Sequence, residues 1–227
     1  VEFIVRLSQW AWRGRARVLA ILLLGLIAVP SALASLLIGV LAAKPDTRTL
    51  AKNWVETHLP ADSGVALDQD FFAPRLNFSR RQLEEKRDSL SEGGELSGVR
   101  KRRLDYLLAS ETVRGRTYRL YFLNARPDNP DRPLFARPLL PFDLDELRRR
   151  GIEYVIASVA SADQLPFYRR LEREAELMAV FSPYREGKGT PDALLDPVEV
   201  TGLPLAYDDL SARKSAGPPV RIFRLKN

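Results

Sequence analysis

No cysteine occurs among the 227 residues, and histidine and methionine occur once each. The first absence excludes disulfides and a thiol nucleophile in any compartment. The second excludes a histidine metal cluster and leaves His58 as at most a lone acid–base group. His58 stands two positions before Pro60, near the end of a predicted helix, where an imidazole interacts favourably with the helix dipole without any further role. There is no nucleophile elbow and no Ser-His-Asp arrangement. Gly93, Gly94 and Gly98 form no dinucleotide-binding series, and no lysine follows them in Walker spacing. Asp68 and Asp70 bring two carboxylates without further oxygen donors, too few for a metal site. They fall just past a predicted strand, where α/β folds bind ligands; the alternative is that they are caps and turn residues. Glu84, Glu85, Glu172, Glu174 and Glu176 sit among arginines, where solvated ion pairs are the default. No catalytic, cofactor-binding or metal-ligating set is therefore assigned, and no cofactor is expected.

Charge is missing altogether from Val18 to Ala43, VLAILLLGLIAVPSALASLLIGVLAA, of which fifteen residues are Leu, Ile or Val. As a helix this run spans about 39 Å, enough to cross a hydrocarbon core of about 30 Å with some tilt. Pro30, Gly25 and Gly39 are tolerated in such a setting. Arg6, Arg13, Arg15 and Arg17 precede the run, whereas Lys44, Arg48 and Lys52 follow it diluted by Asp46 and Glu56. The arginine-dense flank predicts a cytoplasmic N-terminus and an extracytoplasmic C-terminal part, with Trp10 and Trp12 at the interface. The alternative is a secretory signal cleaved after Ala32-Leu33-Ala34; the apolar run continuing from Leu36 to Ala43 argues against it. Three segments follow: a basic cytoplasmic or interfacial stretch at 1–17, a transmembrane helix at 18–43 and a domain at 44–227. Half of the formal net charge of +6 comes from the first forty-three residues. The remainder is a mixed surface, and no interleaving of bases with aromatics points to nucleic acid.

The domain reads as helix and strand in turn. Asp46 or Thr47 caps a helix carrying Leu50, Trp54, Val55 and Leu59 at helical spacing. A short strand is predicted at 65–68, a polar helix at 80–90 ending near Gly93-Gly94, and a strand at 117–123. The order within 96–110 is ambiguous, and 126–133 is a proline-rich loop. Asp143 and Glu146 form a capping box, with Phe142 placed to staple onto Leu147 and Gly151 ending the helix. A strand at 153–158 leads into a helix whose stripe is Phe167, Leu171, Ala175 and Met178, with Pro166 in its first turn and Met178 in the core. The terminal strand, 220–225, carries apolar residues on both faces. Together these elements predict a small α/β fold with a short, mainly parallel sheet. The long stretches at 69–79 and 183–219 are expected to drape over the sheet or to contact a partner.

Four stretches taken in order carry a family resemblance: DTRTLAKNWVETHLP (46–60) directly after an apolar span, RRRGIEYVIAS (148–158), FYRRLEREAELMAVFSPYREGKG (167–189) and GPPVRIFRL (217–225). Over residues 18–227 the chain resembles the C-terminal portion of bacterial membrane glycosyltransferases that use a polyprenyl-phosphate sugar donor, related to the dolichyl-phosphate-mannose and aminoarabinose transferases. The resemblance implies a protein of many spans, acidic catalytic residues in an early extracytoplasmic loop, and a soluble end beyond the last span. This sequence departs from that pattern in having one apolar span. No residue in it matches the family's catalytic acids, so none is carried over. The resemblance implies the non-catalytic C-terminal portion of such a transferase, or an accessory to one, in the bacterial inner membrane with its domain in the periplasm. The alternative is a complete single-pass subunit whose outer domain braces a larger membrane complex. Its helix would pack through the small residues Ala28, Ser31, Ala32, Ala34 and Ser35. Under either reading the partners are the lipid bilayer and another membrane protein.

Overall fold

The computed structural model describes residues 2–68, 73–89, 95–109, 115–123, 139–158, 164–188 and 207–226. Asp70, Gly93, Gly94 and the loop 126–133 lie outside them, as do the side chains of Trp10, Trp12 and the four leading arginines.

The chain begins with a single helix, α1 (Glu2–Ala42), which takes the basic flank and the apolar run into one element containing Pro30. Most of its described apolar side chains are exposed, Leu24, Leu26 and Ile27 at 68%, 72% and 71%. Ser31 and Ser35 return their hydroxyls to the carbonyls of Ile27 and Ser31, at 3.2 and 2.9 Å, so the helix satisfies its own polar groups. By length and composition α1 is able to cross a membrane.

Lys44 to Asp46 turn the chain into α2 (Thr47–His58), whose N-cap is Asp46. Strands β1 (Gly64–Leu67), β2 (Asn77–Phe78), β3 (Thr117–Leu123), β4 (Leu139–Leu140), β5 (Tyr154–Ala157), β6 (Ala175–Phe181) and β7 (Val220–Leu225) form one sheet. Its order is β2-β3-β1-β5-β7-β6, with β4 also on β3. The pairs among β1 to β5 are parallel, and β7 runs antiparallel to both β5 and β6. The sheet is thus mostly parallel, as predicted, with the last strand β7 inserted antiparallel between β5 and the edge strand β6.

Helices α3 (Arg80–Ser89) and α4 (Glu95–Ala109) lie between β2 and β3 in the chain, α5 (Leu144–Arg149) between β4 and β5, α6 (Leu165–Glu174) between β5 and β6, and α7 (Tyr207–Ala212) between β6 and β7. One core cluster packs Leu144, Leu147, Phe167, Tyr168 and Leu171 of α5 and α6 against Val155, Phe223 and Leu225. The other packs Ala51 and Val55 of α2 and its C-cap Leu59, with Ala73 and Leu76, against Val65, Leu120, Ile156 and Ile222. β7 therefore feeds both cores by alternation, Val220 and Ile222 to one face and Phe223 and Leu225 to the other, as its pattern predicts. On the far edge β2 covers β3 only at Thr117 and Tyr118, and β4 only at Phe122 and Leu123. The Gln82 side-chain amide fills the gap, donating to the Leu120 carbonyl at 3.1 Å and accepting from its N–H at 2.8 Å. A side chain here takes the place of a strand residue.

Two local expectations need correction. The helix carrying Phe167 and Leu171 stops at Glu174, and the chain enters β6 at Ala175 without a loop. Met178 is accordingly a strand residue, 37% exposed, and not core. The periodicity misled because Ala175 and Met178 continue the helical stripe by chance, while AELMAVF is equally compatible with an edge strand. At Asp143 the capping box is only half made. Its carboxylate accepts from the Asp145 N–H at 3.0 Å, but Glu146 turns to Arg149 and Arg150. Phe142 packs edge-on against Phe167, with ring centroids 5.4 Å apart.

Candidate functional site at the carboxyl end of the sheet

In a parallel sheet, the place to look for chemistry is where two neighbouring strands send their outgoing chains to opposite faces. β1 and β5 are such neighbours. Past β1 the chain reaches Ala73 and Leu76 in the α2 core, while past β5 it reaches α6 in the opposite core. Asp68 directly follows β1 and Ser158 directly follows β5, so the two residues face one another at this divergence.

The structure closes the gap with those residues. Asp68 is 2% exposed and Ser158 1%. One carboxylate oxygen accepts from the Ser158 hydroxyl at 2.7 Å. The other accepts from the Ser158 N–H at 2.6 Å and from the Tyr168 hydroxyl at 2.8 Å. The Asp68 N–H in turn donates to the Ile156 carbonyl at 3.2 Å, extending the ladder by one step. Tyr168 comes from α6 on one face and is wholly buried. Burial, and then the adjacent Asp68 charge, hold its phenol far above the usual range, so it stays protonated as a donor.

This arrangement has a defined chemical meaning. A carboxylate surrounded by three donors is a strong structural knot, because each charge-assisted bond is stronger than a neutral one. It is a poor general base, since those donors favour its ionised form. Ser158 directs its proton to Asp68, but no imidazole accompanies the pair. His58 lies at the other end of the sheet, before β1, with its ring stacked on Trp54 at 4.4 Å and its Nδ1 2.9 Å from the Trp54 carbonyl. The two aspartates singled out from sequence are thus parted. Asp68 is a buried clamp, and Asp70 lies outside the described residues. Residues 69–72, 124–138 and 159–163, which follow β1, β3 and β5 in the chain, also lie outside them. Among the described residues no group of three or more His, Asp or Glu side chains is placed to hold a metal ion.

The remaining charged clusters are surface networks. Arg170 bonds Asp145 at 2.8 and 2.9 Å and Glu174 at 2.7 Å, and Arg148 joins Glu174 at 3.0 Å. Arg170 holds the carboxyls of Asp145 and Glu174 below their ordinary values. Glu172 pairs with Arg221 across to β7.

A second built feature ties the start of α2 to the segment before β7, close to the foot of α1. Thr47 is fully buried; its N–H donates to the Ala216 carbonyl at 3.0 Å and its hydroxyl to the Pro218 carbonyl at 2.6 Å. Gly217 lies between, at φ +92°, and a Cβ there would strike Thr47 Oγ1 and the Asp46 carboxylate. Leu41 at the foot of α1 is buried, and α7 packs on α1. Asp46 both caps α2 and pairs with Arg48 at 2.7 Å. α1 therefore meets the domain at a joint where Leu41 is buried and α7 packs, beside the start of α2 that is bonded to the residues just before β7.

Sequence reading missed Ser158 and Tyr168 as partners of Asp68, and the segment around Gly217, through Ala216 and Pro218, as the partner of Thr47. The available signals were a serine closing an apolar strand, a tyrosine beside the inward Phe167, and a glycine before two prolines. No protein-family model, curated protein or solved structure matches the chain.

Proposed function

We propose that this chain is a membrane-anchored α/β module, the non-catalytic C-terminal portion of, or an accessory to, a membrane glycosyltransferase using a lipid-linked sugar donor. α1 spans the inner membrane with the arginine-rich end in the cytoplasm, and the domain stands on the outer side. The observation that carries this reading is the uncovered apolar helix that leads directly into the domain. Ten large apolar side chains of α1, from Val18 to Val40, are exposed. Burying each is worth about 1.5 kcal/mol or more, so leaving them in water costs about as much as the whole stability of a domain. Lipid or other apolar helices remove that cost. The transferase assignment draws on the four ordered stretches at 46–60, 148–158, 167–189 and 217–225. The clamped, buried Asp68 agrees with a bracing role for the domain.

An antibody against the domain tests the assignment in native membranes solubilised in mild detergent. The reading expects it to mark a much larger polypeptide, or a stable complex with a multi-span protein, that transfers sugar from a polyprenyl-phosphate donor. A band of the mass of this chain alone, migrating as a monomer, contradicts it.

A further inference from the structure

Outside α1, large apolar side chains are exposed at few described positions, and most of them gather on one edge. Leu177, Met178 and Val180 of β6 are 51%, 37% and 50% exposed, and Leu50 of α2, which packs on β6, is 39% exposed. That edge runs down to the joint with α1. Phe181 pairs with Val220, and the preceding Pro218 carbonyl is bonded to Thr47, one turn before Leu50. The same end of the domain gathers positive charge. Lys214 donates its N–H to the Pro183 carbonyl at 2.7 Å, and Arg185 its N–H to the Ala212 carbonyl at 2.9 Å, so the segments 183–188 and 212–216 are tied together beside Thr47. Lys44, Arg185, Lys188 and Lys214 are all exposed there. Glu186 is the one exposed acid among the described side chains of these segments, since Asp46 is engaged by Arg48. The side chains of Asp208 and Asp209 in α7 lie outside the described residues.

We infer that the β6 edge of the domain rests on the bilayer surface beside α1, its apolar side chains entering the interface and its basic collar meeting anionic lipid headgroups. Apolar residues rimmed by lysine and arginine are the composition of surfaces that lie in the membrane interface, and each basic residue near an anionic leaflet adds about 1 kcal/mol of attraction. α1 ends at Ala42 and α2 begins at Thr47, so this edge stays next to the membrane and no search in solution is needed. An added β-strand fits the edge less well, because the register between β6 and β7 shifts between Leu177 and Ala179. Such a bulge twists an edge away from further pairing. The inference rests on the membrane-anchor reading above.

The absence of cysteine allows single-cysteine probes in the full chain reconstituted into vesicles. A polarity-sensitive fluorophore is placed at Val180→Cys, at Glu85→Cys on the exposed far side in α3, and at Leu36→Cys in α1. Lipids carrying a nitroxide at shallow or deep positions act as quenchers. The Leu36 probe tests the anchor alone, and its failure to meet the deep quencher would refute that reading separately. With the anchor in place, shallow nitroxides in vesicles containing phosphatidylglycerol should quench the Val180 probe at least about twofold more than the Glu85 probe. That excess should shrink in purely zwitterionic vesicles. Equal quenching at Val180 and Glu85 overturns the inference. So does a Val180 probe shielded from aqueous iodide yet untouched by lipid nitroxides, which would mean that a second copy covers the edge. An excess unchanged in zwitterionic vesicles overturns the role given to the basic collar. Met178→Cys provides a second reading at the same edge should Val180→Cys not fold.

Discussion

Substituting Asp68 separates a structural clamp from a reactive carboxylate. Asp68→Ala leaves the Ser158 N–H, the Ser158 hydroxyl and the Tyr168 hydroxyl buried without the acceptor they now share. Each orphaned donor costs about 1–3 kcal/mol, less whatever water enters the cavity recovers. A loss of about 3–5 kcal/mol follows, the range found on breaking buried charged networks. For a domain of this size each kcal/mol moves Tm by about 2–4 °C, so a fall of roughly 6–20 °C is expected. Asp68→Asn should behave differently. Its carbonyl can keep the Ser158 N–H and Tyr168 hydroxyl, while its NH2 donates to a Ser158 hydroxyl that has turned to accept. The expected cost is about 1–2 kcal/mol. Thermal and urea unfolding of the full chain in detergent, followed by near-ultraviolet circular dichroism, gives both numbers. Hydrogen exchange at the Ser158 amide reports the clamp directly. A shift below about 1 kcal/mol for Asp68→Ala, or equal damage from Asn and Ala, would refute the reasoning, since the second result would make the charge itself the requirement.

Three further predictions follow from the joint, the ion network and the edge strand. Gly217→Ala should destabilise by about 1–3 kcal/mol, because a left-handed φ of +92° and contact with Thr47 and Asp46 leave a Cβ no room; Thr47→Val should lose about 1–2 kcal/mol through the buried bond to Pro218, both measured by urea unfolding. Acid should weaken the domain: Arg170 lowers Asp145 and Glu174, and at Asp46 the raising effect of burial is outweighed by the bonds and charge of Arg48, which lower it. Since these folded pKa values lie below the unfolded ones, their stabilisation is complete above about pH 4–5 and is lost as pH falls through the depressed values. Arg170→Gln should flatten that acid limb in a Tm-versus-pH series while leaving its other end unchanged. Met178→Thr should change stability by less than about 0.5 kcal/mol, as an exposed strand position allows and a core methionine would not.

Much of the fold was legible because its signals are local. The Asp46 cap, the β3 run at 117–123, the turn at Gly151 with φ +66° and the alternation of β7 each arise from neighbouring residues. What escaped depends on contacts far apart in the chain. The Asp68 carboxylate meets Ser158 and Tyr168 across 90 and 100 residues, and Thr47 meets Pro218 across 171. No spacing rule connects such positions. The error at Met178 has a different origin. AELMAVF suits either a helix or a strand, and it pairs with β7 because the edge beside Phe223 and Arg221 is open to receive it. Tertiary pairing overrode the local period there. At the carboxyl end of the sheet, the topology explained the place of Asp68 better than its neighbour Asp70 did. Divergence of the chain after β1 and β5 marks that place, and it is a property of the whole sheet.

The account stands on α1 remaining attached and holding the domain outside the cytoplasm. Alkaline phosphatase, active only after export, is fused after residue 227, and the cells are fractionated with the mass of the fusion measured. Activity in the membrane fraction at full length is the predicted result. Activity released in soluble form with a new N-terminus at Ser35 would show the apolar run to be a cleaved signal, and an inactive, membrane-bound fusion would reverse the orientation; either contradicts the account.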